Sequence, residues 1–195
     1  MPRKPVTDRS LRALKTKKKL FQCAVKLIEK NGYDNVTIED ICKKTGVSVG
    51  AFYHYFNSKT DILLEVFKEI DRYYEEKVVP AFKGDASADI ETFFYHYAKF
   101  HVDQGIEHTS RILAVKGDFF LDRTRYMYAK LNDLVNAAIE DGTFGRETDP
   151  AFIVDYLLVV ARGLLFDWSL SHGEHDLAAN MGAYIKLAKL SFKQQ

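Results

Sequence analysis

The stretch TGVSVGAFYHYFNSKTDIL, Thr45 to Leu63, gathers Ser48, Tyr53, His54, Tyr55, Ser58 and Lys59 around two glycines, Gly46 and Gly50. These residue types suit binding better than catalysis. Tyrosine hydroxyls and a lysine ammonium can contact phosphate oxygens, and a bare glycine backbone lets a bulky partner such as a base pair come close. A lysine in the first turn of a helix opposes the helix dipole, so Lys59 needs another reason to be there, and an anion at that helix start is one. Elsewhere, His96 and His101 stand five apart, and His172 and His175 flank Glu174. Two histidines without a third placed ligand make a poor metal site. The chain has no phosphate loop, no GxSxG and no glycine-rich dinucleotide fingerprint. No enzyme activity, cofactor or metal is therefore expected.

The elements that must position Thr45–Leu63 follow from apolar spacing. Leu20, Ala24, Leu27 and Ile28 mark one side of a first helix from about Leu11 or Thr16 to Lys30, stopped by Asn31-Gly32. Thr37 with Asp40 reads as a capping box opening a second helix, with Ile38 and Ile41 inward. Gly46 ends it, and Ser48 caps a third helix through about Tyr55. Val47, Phe52 and Phe56 form its inner stripe, leaving Ser48, Val49, Gly50, Ala51, Tyr53, His54 and Tyr55 outside. Ser58 and Asp61 open a fourth helix. Helix, glycine turn, helix is the layout in which the second helix enters a DNA major groove.

Charge agrees with this. Residues 1–60 carry 13 Lys and Arg against 5 Asp and Glu, a balance of +8, while residues 61–195 carry 15 against 22, a balance of −7. A basic head suits a polyanion. Arg3, Lys4 and Arg9 form a basic tail. Cys23 and Cys42 share no CxxC spacing and read as reduced residues of a cytoplasmic protein. The basic amino terminus has no apolar run, so no secretory leader is expected. The apolar stretch Phe152–Leu170 carries Asp155, Arg162 and Asp167, which argue against a membrane span.

The run GYDNVTIEDICKKTGVSVGAFYHYFNSKTDILLEVF resembles the DNA-binding region of the tetracycline-repressor (TetR) family of bacterial transcription regulators, over about Thr16–Phe67. The family usually has His where this chain has Tyr55, and often Leu where it has Phe52. The resemblance implies phosphate contacts by Thr37, Tyr53, Tyr55 and Lys59, and base-edge contacts by Ser48, Val49, Gly50 and Ala51, with His54 suited to either. Val49 and Ala51 would read thymine methyl groups.

Beyond the head, 3.6-residue periodicity continues, and about nine helices are expected in all. The fourth runs from Ser58 to about Val79 before Pro80, the fifth from Asp89 to Gln104, the sixth from Glu107 to Lys116 and the seventh from Asp118 to Asp141. Asp149-Pro150 opens the eighth, and Leu177–Phe192 is the last. The eighth is apolar nearly all round, so it must be covered on more than one side. A partner chain covering Phe152, Tyr156, Val159, Val160, Gly163 and Phe166, together with Leu177, Met181, Tyr184 and Leu187 of the last helix, gives a four-helix dimer interface. A monomer that buries both helices internally is the alternative. The resemblance also implies dimerisation and a ligand cavity in the body. Phe93, Tyr97, Phe100 and His101 are the first candidate lining residues, then Phe119, Phe120, Arg123 and Trp168. Few polar groups there suit a hydrophobic or aromatic effector.

The expected protein is all-α. An amino-terminal three-helix helix-turn-helix domain, residues 1–57, precedes a regulatory domain for ligand binding and dimerisation, residues 58–195, with the helix from Ser58 shared as connector. The expected function is a ligand-responsive repressor that binds a palindromic DNA operator as a homodimer. A helical sensor or carrier whose basic head binds protein instead is the competing reading.

Overall fold

The computed structural model of the protein describes residues 8–114 and 122–193. Among them are nine α-helices and no strand, with one isolated bridge between Phe144 and Lys193. Among the described residues the chain divides into an amino-terminal unit, which runs to Lys68 and also takes in Ala114, and a larger one of residues 69–113 and 122–193. The division falls ten residues into the fourth helix rather than at Ser58, because its first turns belong with the head: Ile62 is fully buried, and Glu65 pairs with Lys17 at 2.8 Å.

The first unit contains α1 (Asp8–Asn31), α2 (Ile38–Thr45), α3 (Val49–Phe52) and the start of α4 (Lys59–Tyr73). α1 begins earlier than its apolar spacing indicates, with Asp8 in its first turn where a carboxylate suits the dipole. Leu20, Ala24 and Ile28 are its buried line and Leu27 is half-buried. Gly32, at φ 82°, donates to the Ile28 carbonyl (2.8 Å) and ends the helix in the left-handed conformation. α3 is a single turn. His54 and Tyr55 donate back only three residues, to Ala51 and Phe52, so the chain tightens into a turn where a helix through Tyr55 was expected.

The larger unit holds α5 (Ala86–Gln104), α6 (Ile106–Ala114), α7 (Tyr126–Glu140), α8 (Pro150–Leu170) and α9 (Leu177–Leu190). α5 packs on α7 and α9, and α8 on the same two. Tyr74, Phe93, Phe94, Leu131, Leu157 and Met181 are among the side chains at their centre. α4 does not run regularly to Pro80. Residues Tyr74–Val78 form a π-helical turn and Val79–Ala81 a 3₁₀ turn, with Val79 donating to the Tyr74 carbonyl five residues back. Pro80 lacks an N–H and cannot sustain the ladder, which widens before it and tightens after it. α5 starts three residues before Asp89, because Asp85 is its cap and Asp89 instead accepts from the Lys83 and Gly84 amides at 2.8 Å.

α7 starts at Tyr126, well after Asp118. Asp122 ties down the amide and hydroxyl of Thr124 in a turn. The cap of α7 comes from another helix. Asp71 of α4 accepts from the Met127 amide (3.1 Å) and from two nitrogens of Arg125, at 3.2 and 3.3 Å. Asp71→Ala should destabilise the chain by about 2–3 kcal/mol in urea unfolding, because it leaves a mostly buried guanidinium and a helix-end amide without this acceptor. A loss under about 0.5 kcal/mol would reduce the pair to an ordinary surface bridge.

Candidate nucleic-acid interface

The capping box at α2 forms in full. Asp40 donates its amide to the Thr37 hydroxyl (3.1 Å), and its carboxylate accepts from the Thr37 amide (2.9 Å) and hydroxyl (2.7 Å). Those two Thr37 bonds hold the Asp40 carboxyl below its ordinary range. Val36 and Ile41, before the cap and in the first turn after it, are both buried as a hydrophobic staple. Gly46 (φ 68°) turns the chain out of α2, and Val47 donates to the Cys42 carbonyl at 3.1 Å. Lys19 reaches across from α1 to the Thr45 carbonyl at 2.7 Å.

Ser48 then caps α3, accepting from the Ala51 amide at 3.1 Å. Phe52 and Phe56 are buried with ring centroids 5.8 Å apart, and Val47 is half-buried beside them in sequence. Ser48, Val49, Gly50, Tyr53 and His54 are exposed, while Ala51 and Tyr55 are half-buried. Thr37 is also exposed. Asp61 donates its amide to Ser58 (3.0 Å), but its carboxylate goes to the Asn57 amide (3.0 Å), one residue further out than a capping box requires.

Lys59 is engaged within the chain. Its ammonium donates to the carbonyls of Tyr33 and Val36 (2.8 Å to Val36) and lies 4.0 Å from the Tyr33 ring centroid. This supplies the reason for a lysine at that helix start without any bound anion. Around the unit, Lys15, Lys18, Lys26, Lys30, Lys43 and Lys44 are exposed. Arg3 and Lys4 lie outside the described residues.

In the larger unit, Phe93, Tyr97, Phe100, His101 and Trp168 are all buried. Tyr74 donates its hydroxyl to the Phe93 carbonyl (2.7 Å), and Tyr73 meets His96 Nδ1 at 2.7 Å. Arg123 is not an interior residue: it is exposed and ion-paired with Asp155. Phe119 and Phe120 lie outside the described residues. His175 reaches Asp167 at 3.2 Å and Ser171 at 3.3 Å, and no group of three or more potential metal ligands occurs among the described residues.

His101 sits 3.2 Å from Thr109, and burial, with His108 adding to it, pushes its imidazole down to about 3. The folded chain keeps it neutral, whereas the unfolded chain protonates it near pH 6.5. Its contribution to stability is thus present above pH 6.5 and lost as pH falls from there toward 3. The melting temperature should drop across that window. His101→Phe should flatten the drop, and an unchanged acid sensitivity would assign the loss to other groups.

The outer side of α8 exposes Phe152, Tyr156, Val159, Gly163 and Phe166, with Val160 half-buried, and α9 exposes Tyr184 and Leu187. Leu177 and Met181 are different: both are buried in the chain's own core and cannot form part of a partner surface. The spacing from Met181 through Tyr184 to Leu187 advances by threes, and each such step falls about 60° short of a turn. The apolar line therefore walks from the inner side of α9 to the outer. No described helix is long and apolar enough to cross a membrane.

A glycine turn between two short helices, with a capped second helix turned outward on a lysine-rich unit, defines a helix-turn-helix protein with an all-helical body. Residues 20–66 match the family model for bacterial regulatory proteins, tetR family. That segment, from α1 into α4, is what the chain shares with the family. The fatty acid metabolism regulator protein of Bacillus subtilis is 36% identical over 69 residues, which cover 35% of this chain and 36% of that protein. The match thus spans about a third of that relative's length. The transposon Tn10 TetC protein of Escherichia coli is 28% identical over 88% of each chain. Among solved structures, FadR from Bacillus subtilis in complex with stearoyl-CoA shares the fold with a TM-score of 0.65 at 19% identity, over 88% of this chain and 96% of that one. A tetR family regulator structure from Shewanella sp. PV-4 has a TM-score of 0.67 at 15% identity, over 92% and 99%.

Proposed function

We propose that the protein is a cytoplasmic, ligand-responsive transcription repressor. As a homodimer it binds a roughly palindromic operator, and a small hydrophobic or aromatic effector releases it. The observation that carries this reading is the outer side of α3. Ser48, Val49, Gly50, Tyr53 and His54 are exposed there, and Gly50 has open space above its Cα, so the fold has no use for a glycine at that point. Ser48, Val49, Gly50 and Ala51 face the base edges in this reading, and Thr37, Tyr53, His54 and Tyr55 the phosphates, so affinity falls steeply with salt. Paired α3 segments address half-sites roughly 34 Å apart, one DNA turn. The aromatic surroundings of Phe93, Tyr97, Phe100 and His101 suit an apolar effector. The effector can loosen DNA binding only by its differential affinity for two shapes of the body.

Selection of bound duplexes from a randomised pool tests the reading. Enrichment of an inverted repeat with half-sites one turn apart is expected, with binding that weakens as salt rises. No enrichment at low ionic strength would falsify it.

A further inference from the structure

The turn between α1 and α2 ends at the exposed Thr37. Gly32 closes α1, and Asn35 Nδ2 donates to the Asn31 carbonyl at 2.9 Å. A backbone bond across the turn, from the Val36 amide to the Tyr33 carbonyl, is long at 3.4 Å. The strong link comes from α4. Lys59 places its ammonium on the carbonyls of Tyr33 and Val36, the two ends of that bond, and over the Tyr33 ring. Val36 directly precedes Thr37 and is itself buried. Two of the three N–H donors of the ammonium are thus spent inside the chain, and a cation at the start of α4 is compensated by carbonyl oxygens rather than by a bound anion.

We infer that Lys59 is a positioning residue for DNA binding: it clamps the Tyr33–Val36 turn and so fixes the start of α2 with Thr37, and it is not itself a phosphate ligand. This rests on the reading that the amino-terminal unit binds duplex DNA. The two roles leave different traces. A lysine on a phosphate contributes to counterion release, so its removal lowers the slope of log affinity against log salt by about 0.9 for each Lys59, twice that for a dimer. A clamp contributes to geometry and leaves the slope alone.

The test uses the full chain, a duplex recovered from the randomised pool, and Lys59→Met, which keeps an apolar stem and removes the donors. Expected are a loss of affinity of about tenfold at fixed salt, a salt slope equal to that of the parent, and faster amide exchange over Val36–Asp40 in the DNA-free protein. Lys59→Gln, a milder change that also removes the charge, is the second variant should Lys59→Met fail to melt cooperatively, and it too must keep the parent slope. A slope lowered by about one per Lys59 overturns the inference, as does unchanged exchange with unchanged affinity. Absence of salt-dependent duplex binding by the unsubstituted chain overturns the underlying reading as well, and it is seen before any variant is made.

Discussion

A chain carrying both Val159→Glu and Leu187→Glu is expected to sediment as a folded monomer and to bind operator on the order of a thousandfold more weakly than the parent, because each head then acts alone. Val159 is 59% exposed and Leu187 65% exposed, so neither glutamate disturbs the chain's own core. They interrupt a large apolar surface. Phe152, Tyr156, Phe166 and Leu170 of α8 and Tyr184 and Leu190 of α9 are exposed with them, and so broad a patch marks an interaction site. Gly163 lies on the same side of α8. Glycine in mid-helix costs about 1 kcal/mol relative to alanine, and no described residue crowds its Cβ position. In the proposed dimer, a partner helix that must come close would supply the reason. Sedimentation velocity and circular dichroism together decide the matter. A double variant that is still dimeric would move the interface elsewhere, and one that is monomeric with full operator affinity would detach DNA binding from pairing.

What could be read ahead of the structure was whatever depends on neighbours in the chain. The Thr37–Asp40 box, the glycine stops at Gly32 and Gly46 and the Asp149-Pro150 start are local chemistry, and each forms as its residues dictate. The all-round apolar character of α8 also resolves into an inner and an outer side, as its composition demands. What escaped notice was polar groups satisfied from far away. Asp71 caps a helix 56 positions further on, and nothing near either residue signals it. Lys189 sits among the apolar residues of α9, yet it is buried, with its ammonium 2.7 Å from the Ser87 carbonyl, the Ser87 hydroxyl and Glu91. A lysine reads as solvated surface until three partners on α5 are seen around it.

The same distinction explains why the exposed side of the head was legible and the interior of the body was not. A candidate binding surface consists of residues the fold does not use, and the local pattern identifies those by subtraction: once Phe52 and Phe56 are assigned inward, Ser48, Val49, Gly50, Tyr53 and His54 face out. Lys59 is the exception in the head because its use is long-range, 23 and 26 residues back along the chain. In the interior of the body the buried aromatics pack on one another, so residue type alone cannot separate a lining residue from filler. Arg123 shows the cost, since its charge is spent at the surface on Asp155.

Gly50→Val should leave the fold at least as stable as the parent and remove operator binding by on the order of a hundredfold or more, equivalent to about 2.7 kcal/mol. The two halves of that expectation have separate physical grounds. Among the described residues nothing lies within 4 Å of a Cβ built at Gly50, and its backbone is ordinary right-handed helix, so a β-carbon there meets no clash. Valine also has a better helix propensity than glycine, by a few tenths of a kcal/mol. Against DNA the balance reverses. The residue stands in the first turn of the capped helix, between Val49 and Ala51, where the backbone would come closest to the base edges, and two added methyl groups hold it off. Phosphate contacts from Tyr53 and Tyr55 would then be lost with it, since they are made in the same register. Thermal melting and anisotropy titration on one preparation give both numbers. Gly50→Val that binds operator like the parent would show that α3 does not lie in the groove backbone first. A chain that instead unfolds would show that Gly50 serves the fold.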